Sequence, residues 1–320
     1  NPDTGERIAS TGDIARYQDV FGHTLLDLAR MDERVVGITP AMPSGCSMNI
    51  LMREMPERCF DVGIAEEHAV TFSAGLAASG MRPFCNIYSS FMQRAYDNVI
   101  HDVAIQDLPV VLCLDRGGLV GEDGATHHGV FDMAAFGAVP GLVIAAPMDE
   151  RELRNLMYTA LQTGHPFMLR YPRGCGVGAP WRDEPFELLP VGRGRCLREG
   201  EDVALLTIGT TAAAGVRAAE RVAAAGVDVA HYDLRYVKPL DEKLLDDVGR
   251  RFRRVVTVED GCVRGGAGEA VTAWFSRKGH AVEVRSLGIG DTWVSHGTPA
   301  QLQALCGYDE EHIFDELMKK

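Results

Sequence analysis

At 320 residues, with 46% hydrophobic side chains, the chain is long enough for two domains and apolar enough for packed cores, which excludes a disordered polypeptide. A net charge of -13 argues against nucleic acid as a partner, because phosphate backbones select basic surfaces. No uncharged apolar run reaches the ~18 residues of a membrane span, no secretory leader is recognisable, and the eight cysteines contain no Cys-x-x-Cys pair; no membrane partner, zinc ribbon or dithiol centre is expected, and a reducing cytoplasm is.

Residues 1–14 are rich in turn formers (Pro2, Gly5, Gly12, Asp13) and are expected to be the linker from a missing N-terminal domain. Apolar residues at helical spacing (Val20, Leu25, Leu26, Leu28, Ala29) predict a helix over 14–31. A short buried strand over 35–39 follows, and the loop Thr39-Pro40-Ala41-Met42-Pro43 breaks it. After a short helix over 49–55, two strands, 59–63 and 83–88, each deliver a polar cluster to the start of a helix. The first cluster is Ile64-Ala65-Glu66-Glu67-His68 and the second is Ser89-Ser90-Phe91. In an open parallel sheet, ligands bind beyond the carboxyl ends of the strands, so Glu66 falls where a pocket belongs. A lone glutamate at a helix start would merely complement the helix dipole. With Tyr88, Phe91 and Arg94 at the neighbouring strand end, the cluster has the convergent polar groups and aromatic face that a cofactor pocket requires. The helix over 67–79 carries Ala69, Ala74, Gly75, Ala77 and Ala78, small residues that permit close packing within the domain or across a dimer.

The strand over 108–114 runs into a segment, 115–129, with five glycines and the adjacent His127 and His128. The glycines have neither P-loop nor dinucleotide spacing. A plain surface connection would account for them, but charged groups and imidazoles at a parallel-strand end favour a substrate loop. His127 with Asp123 offers too few ligands for a metal, so no metal site is expected in this chain. A strand over 142–146, an amphipathic helix over 149–164 capped by Asp149, and a strand over 166–171 complete a first domain, 15–175. Arg173, in Tyr171-Pro172-Arg173-Gly174, could form a surface salt bridge, but its place at a strand end favours gripping an anion in a bidentate fork. A proline-containing linker, 176–200, leads to a second alternation of strands and helices over 201–320, the pattern of parallel βαβ units. The predicted fold class is α/β, with two consecutive open, mostly parallel sheets flanked by helices. Glu259 and Arg264 could be catalytic by residue type, and a structural role is expected for both.

Ile64-Ala65-Glu66-Glu67-His68-Ala69-Val70-Thr71 and Tyr88-Ser89-Ser90-Phe91-Met92-Gln93-Arg94-Ala95-Tyr96-Asp97 together resemble the pyrimidine-binding domain of the 1-deoxy-D-xylulose 5-phosphate synthases, thiamine diphosphate enzymes related to transketolase. In the second domain, Asp233-Leu234-Arg235-Tyr236-Val237-Lys238-Pro239-Leu240-Asp241 and Thr257-Val258-Glu259-Asp260-Gly261, with Gly265-Gly266-Ala267-Gly268, are similar to the transketolase C-terminal domain. That domain serves mainly in dimer contact in the family. The resemblance implies thiamine diphosphate as cofactor, with a buried Glu66 of raised pKa at the aminopyrimidine nitrogen and Phe91 and Ile64 against the ring. It implies decarboxylative condensation of pyruvate with D-glyceraldehyde 3-phosphate, giving 1-deoxy-D-xylulose 5-phosphate and carbon dioxide, the opening step of the non-mevalonate isoprenoid pathway. A cytoplasmic homodimer is implied as well. Tyr88 and Arg94 would line the substrate pocket, Arg116 and Arg173 would hold the aldehyde's phosphate, and Asp123 and His127 would be catalytic, orienting the donor-derived intermediate.

The resemblance covers only the C-terminal half of the family enzyme. The Gly-Asp-Gly motif and following Asn that hold Mg2+ and the diphosphate in the family have no counterpart in Gly12-Asp13-Ile14 or Gly290-Asp291-Thr292. Those ligands are expected in the missing N-terminal domain, and this chain is expected to be inactive alone. A split transketolase subunit and the β subunit of a 2-oxoacid dehydrogenase share the glutamate and the glycine loop. His68, the run from Tyr88 to Arg94, and Tyr171-Pro172-Arg173-Gly174 favour the synthase. A dimerisation module without activity is disfavoured by the retained Glu66 and its surrounding polar groups.

Overall fold

The computed structural model describes residues 14–319; the linker expected over 1–14 lies, but for Ile14, outside them. Strands rich in Val, Leu and Ile bury both faces only when helices cover both, which is what parallel crossovers provide. In chain order the strands are β1 (Val35–Thr39), β2 (Cys59–Asp61), β3 (Arg82–Tyr88), β4 (Val111–Asp115), β5 (Val143–Ala145) and β6 (Phe167–Tyr171). Then come β7 (Arg195–Arg198), β8 (Val203–Thr207), β9 (Val229–Asp233), β10 (Tyr236–Lys238), β11 (Arg254–Cys262) and β12 (Glu283–Ile289). They form a seven-stranded sheet, in the order β10-β5-β6-β4-β3-β1-β2, and a five-stranded one, β12-β11-β8-β9-β7. Every pairing is parallel except β10 on β5 and β7 on β9.

Alternation along the central strands sends Val111 and Cys113 into one cluster, with the helices Tyr17–Met31 and Glu150–Thr163. Leu112 and Leu114 go into the other, with the helix Glu66–Ala78. That second cluster continues through Ala146 and Met168 to Leu206, Tyr232 and Phe252, so one apolar core runs from the first sheet into the second. Asp149 caps its helix as expected, accepting from the Glu152 amide at 2.7 Å. No helix among the described residues is long and apolar enough to cross a membrane.

Two strands depart from the sequence reading. β7 lies within the stretch expected to be linker and forms an edge by pairing antiparallel with β9. β10 follows the second domain's β9 in sequence, yet it pairs with β5 of the first sheet. The left-handed backbone of Arg235 (φ 59°) turns the chain, and the Arg235 guanidinium then bonds Glu152 at 2.7 Å. Tyr236 packs on Phe167, with ring centroids 6.4 Å apart. These contacts close the edge that β5 would otherwise leave open and tie the two units together.

Candidate active site

Beyond β2 the chain turns through Gly63 and enters the helix Glu66–Ala78 at Glu66, whose residue is only 3% exposed. A buried carboxylate must be paired or hydrogen-bonded, and Arg94 supplies the partner, its Nη1 donating to Glu66 Oε1 at 2.5 Å. Arg94, expected along the substrate pocket, is thus the residue that fixes the glutamate. Its guanidinium also lies 4.7 Å from the centre of the Phe91 ring. Phe91 stacks on Tyr88 at 5.6 Å and receives His127 edge-on at 5.3 Å. Ile64, two residues before Glu66, is 82% exposed and offers an uncovered aliphatic surface next to the carboxylate.

Tyr88 links this group to the glycine loop. Arg116 lies over its ring at 3.9 Å and pairs with Asp123 at 2.9 Å. Arg173 donates to the Val120 carbonyl at 3.0 Å and stands 3.7 Å from Asp123. His127 shares a 2.8 Å hydrogen bond with Thr126. The Nε of Arg116 is buried without a hydrogen-bond partner among the described residues, a donor left for something else. From Glu66 through Arg94, Phe91, Tyr88, Arg116 and Asp123 to Arg173, the expected residues form one continuous series of contacts at the carboxyl ends of β2, β3, β4 and β6. Two glycines make the approach possible. A Cβ at Gly45 would overlap the Tyr88 hydroxyl, and one at Gly118 (φ 86°) would overlap the Asp260 carboxylate.

The wall suits an aminopyrimidine: one fixed carboxylate, one aromatic face and one aliphatic edge. Among the described residues there is no group of three or more His, Cys, Asp or Glu that could hold a metal ion. The carboxylate, the aromatic ring and the aliphatic side chain are the groups that a pyrimidine ring would need.

Residues 15–176 match the family model described as transketolase, pyrimidine binding domain, and residues 192–313 match transketolase, C-terminal domain. The chain belongs to the transketolase family. Proteins named 1-deoxy-D-xylulose-5-phosphate synthase from Bacteroides fragilis and Bacteroides thetaiotaomicron are 57% and 58% identical to it over 100% of this chain. The chain spans about half the length of these curated relatives, 50% of each. A solved structure described as a split gene transketolase, inactive beta4 tetramer, is 25% identical with a TM-score of 0.83, covering 96% of this chain and 97% of that one. The transketolase from Campylobacter jejuni has the same fold at 16% identity and a TM-score of 0.79, with 100% of this chain laid over 49% of that one.

Around the site of this transketolase-family chain stands a layer that the sequence reading missed. His128, the second of the paired imidazoles, is buried: its Nδ1 accepts from the Val120 amide and its Nε2 meets the Ser295 carbonyl, both at 3.1 Å. Arg170 on β6 pairs with Asp132 at 2.8 Å and reaches the Asp260 carbonyl at 2.9 Å. Asp260 accepts from the Leu119 amide at 3.0 Å and the Tyr308 hydroxyl at 2.7 Å. These bonds clamp the glycine loop to the second domain. One signal was legible: an arginine inside the apolar run Phe167-Met168-Leu169-Arg170-Tyr171 requires a buried partner. Glu259, a catalytic candidate by type alone, takes the amides of Ala267 and Gly268 at 2.8 and 2.9 Å and so caps the helix Ala267–Lys278.

Proposed function

We propose that this chain supplies the pyrimidine-binding and C-terminal domains of a 1-deoxy-D-xylulose 5-phosphate synthase, which condenses pyruvate with D-glyceraldehyde 3-phosphate and releases carbon dioxide. The unbroken series of contacts from Glu66 to Arg173 supports this reading, because it joins a buried carboxylate and two guanidiniums along one wall. Bound thiamine diphosphate supplies a nucleophilic carbon and an electron sink for decarboxylation. Glu66 holds and returns a proton at the aminopyrimidine ring nitrogen, as general acid–base chemistry requires. Arg94 keeps that carboxylate aligned, and Phe91 and Ile64 give the ring an apolar seat and exclude water from it. Arg116, pinned by the Tyr88 ring, and Arg173 receive the aldehyde's phosphate, as paired guanidiniums suit a phosphate dianion. Asp123 and His127 orient the donor-derived carbons beside Phe91.

Mg2+ and the diphosphate belong, on this reading, to an N-terminal domain outside this chain, so the chain alone turns nothing over. The cytoplasm and a homodimer complete the proposal. The helix Glu66–Ala78 leaves Thr71, Gly75 and Ala78 exposed, a face flat enough for a second helix to approach closely. A split transketolase subunit is the second reading, favoured by the 97% coverage of the split-gene chain. Carbon dioxide release from pyruvate by the complete enzyme, with and without glyceraldehyde 3-phosphate, separates the two. Release coupled to a new five-carbon ketose phosphate supports the synthase. No release, but two-carbon transfer from a ketose phosphate, would move the protein to the transketolase branch.

A further inference from the structure

We propose that Asp115 couples the capture of a dianionic substrate group at Arg116 and Arg173 to the uptake of a proton, so that affinity for the phosphate-bearing substrate is set by pH through a positioning residue that does not touch it. This rests on the phosphate role given above to the two arginines.

Asp115 ends the central strand β4, in register with Tyr88 on β3 and Tyr171 on β6. The three residues form a buried row at the strand ends, beneath the site. Asp115 is 2% exposed, and its Oδ2 has no hydrogen-bond partner among the described residues. Both proposed anion-binding residues leave this row. Arg116 follows Asp115 directly, and its left-handed backbone (φ 62°) turns the guanidinium back over Tyr88. Arg173 stands two residues beyond Tyr171. Asp123 pairs with both guanidiniums, at 2.9 and 3.7 Å, and Glu122 stands 3.6 Å from Arg173. The remaining titratable groups facing Asp115 are Asp19 on the helix Tyr17–Met31, Cys46 in the loop after β1, Cys113 on its own strand, Tyr88 and Tyr171. None of these supplies a positive charge, so the ionised form is favoured by the two arginines and by the Arg116 backbone amide, which bonds the carboxylate.

Burial pushes the Asp115 carboxyl up, and the field of Arg116, the Arg116 amide and the field of Arg173 pull it down, leaving it at about 7. A dianion seated on those arginines cancels their field and adds its own, which drives Asp115 toward its protonated form. By reciprocity, whatever the ligand does to the proton, the proton does to the ligand. Below the titration Asp115 is already neutral and affinity is full; above it, affinity falls as the carboxylate forms. A rise of about one pKa unit on binding corresponds to about tenfold in affinity.

Sulfate is a suitable probe, because it stays dianionic throughout the range in which a phosphate monoester also titrates. With the complete enzyme, loaded with thiamine diphosphate and magnesium, titration calorimetry near pH 7.5 in buffers of different ionisation heat should show uptake of about half a proton per sulfate. Affinity should be roughly sixfold weaker at about pH 8.5 than at about pH 6.5. Asp115→Asn should abolish the uptake and flatten the pH dependence to within about twofold. No uptake by the native enzyme, or uptake that persists in Asp115→Asn, overturns the proposal. Arg173→Ala separates the two levels. Sulfate binding indifferent to that change removes the phosphate role and the linkage with it; binding that needs Arg173 but takes up no proton removes the linkage alone. Should Asp115→Asn not fold, infrared difference spectra of native enzyme labelled with [4-13C]aspartate decide the matter: a protonated aspartyl band must grow when sulfate is added, and its absence overturns the coupling.

Discussion

The two sheets present the same kind of edge to different ends. Each places acids and basic groups at the carboxyl ends of parallel strands, where α/β folds bind ligands. In the second sheet most of those groups are spent. Glu259 holds two helix amides and Asp260 holds an amide and a phenol; the exception is the Asp233–Arg195 ion pair, 3.3 Å apart, in which Asp233 Oδ2 and Arg195 Nε make no hydrogen bond. In the first sheet they are left over. Glu66 has one bond, to an arginine whose side chain is 49% exposed; an oxygen of Asp115 has no bond; and Arg116 keeps a donor in reserve. Topology makes the crevice twice, and the chemistry proposed above lies at the one whose free polar groups adjoin an aromatic ring.

That contrast breaks most readily at Glu66. Glu66→Gln preserves shape and removes the titratable proton, and should lower kcat for carbon dioxide release by about 10²–10⁴-fold. A variant within a few-fold of native would mean that the unspent carboxylate is not the working one. Arg173→Ala comes next. Losing a charge-assisted contact of about 1.5–3 kcal/mol should raise KM for glyceraldehyde 3-phosphate roughly 10- to 100-fold, with KM for pyruvate unchanged. Equal effects on both substrates would move Arg173 from binding to scaffold.

Most of this architecture is legible in the sequence because period and punctuation report it directly. The buried strands around Val36, Leu112 and Leu205 read as apolar runs, and Asp149 reads as a cap. β10 is not legible, since hydrophobicity shows that Tyr236 is buried but not that Phe167 and β5 receive it. β7 escapes because Arg195-Cys196-Leu197-Arg198 is short, charged and half-exposed, as edge strands are. At the site, residue types at strand ends single out Glu66, Tyr88, Phe91 and Arg173 as candidates, and the family resemblance adds Arg116. The bond from Arg94 to Glu66 depends on a turn geometry that no spacing encodes. Asp115 reads as the polar end of an apolar strand, and its unpartnered oxygen becomes visible only once its neighbours are in place.

A stability effect without a catalytic one should come from Glu259. Glu259→Ala leaves two amides at the start of the helix Ala267–Lys278 unpaired in a buried setting, costing about 2–3 kcal/mol in urea unfolding. The folded variant should keep its kcat. Burial raises the Glu259 carboxyl from 4.5 to about 7, against the pull of the two amides and Arg170. The folded state therefore holds this proton to higher pH than the unfolded chain does. The native protein's stability should fall as pH rises from about 4.5 to about 7, and this slope should be shallower in Glu259→Ala. An unchanged slope would assign the pH dependence to other buried acids, Asp115 first among them.

The smallest effect is expected where the second domain braces the first. Thr298 caps the helix Pro299–Cys306 in a reciprocal box, accepting from the Gln301 amide at 3.3 Å while Gln301 Oε1 accepts from the Thr298 amide at 3.0 Å. Just before it, the Ser295 carbonyl meets His128 at 3.1 Å and the Gly297 amide reaches the Gly121 carbonyl at 3.4 Å. Thr298→Ala should cost about 1 kcal/mol of stability, the usual worth of an N-cap. It should change kcat less than twofold or so, because His128 and the Asp260 bonds still hold the glycine loop after the cap is gone. His128→Ala removes the loop's own clamp, and should lower kcat more than Thr298→Ala does at comparable cost in stability. If the two variants lose activity in proportion to stability alone, the second domain's spent groups support the fold as a whole, and the loop that carries Asp123 and His127 needs no separate brace.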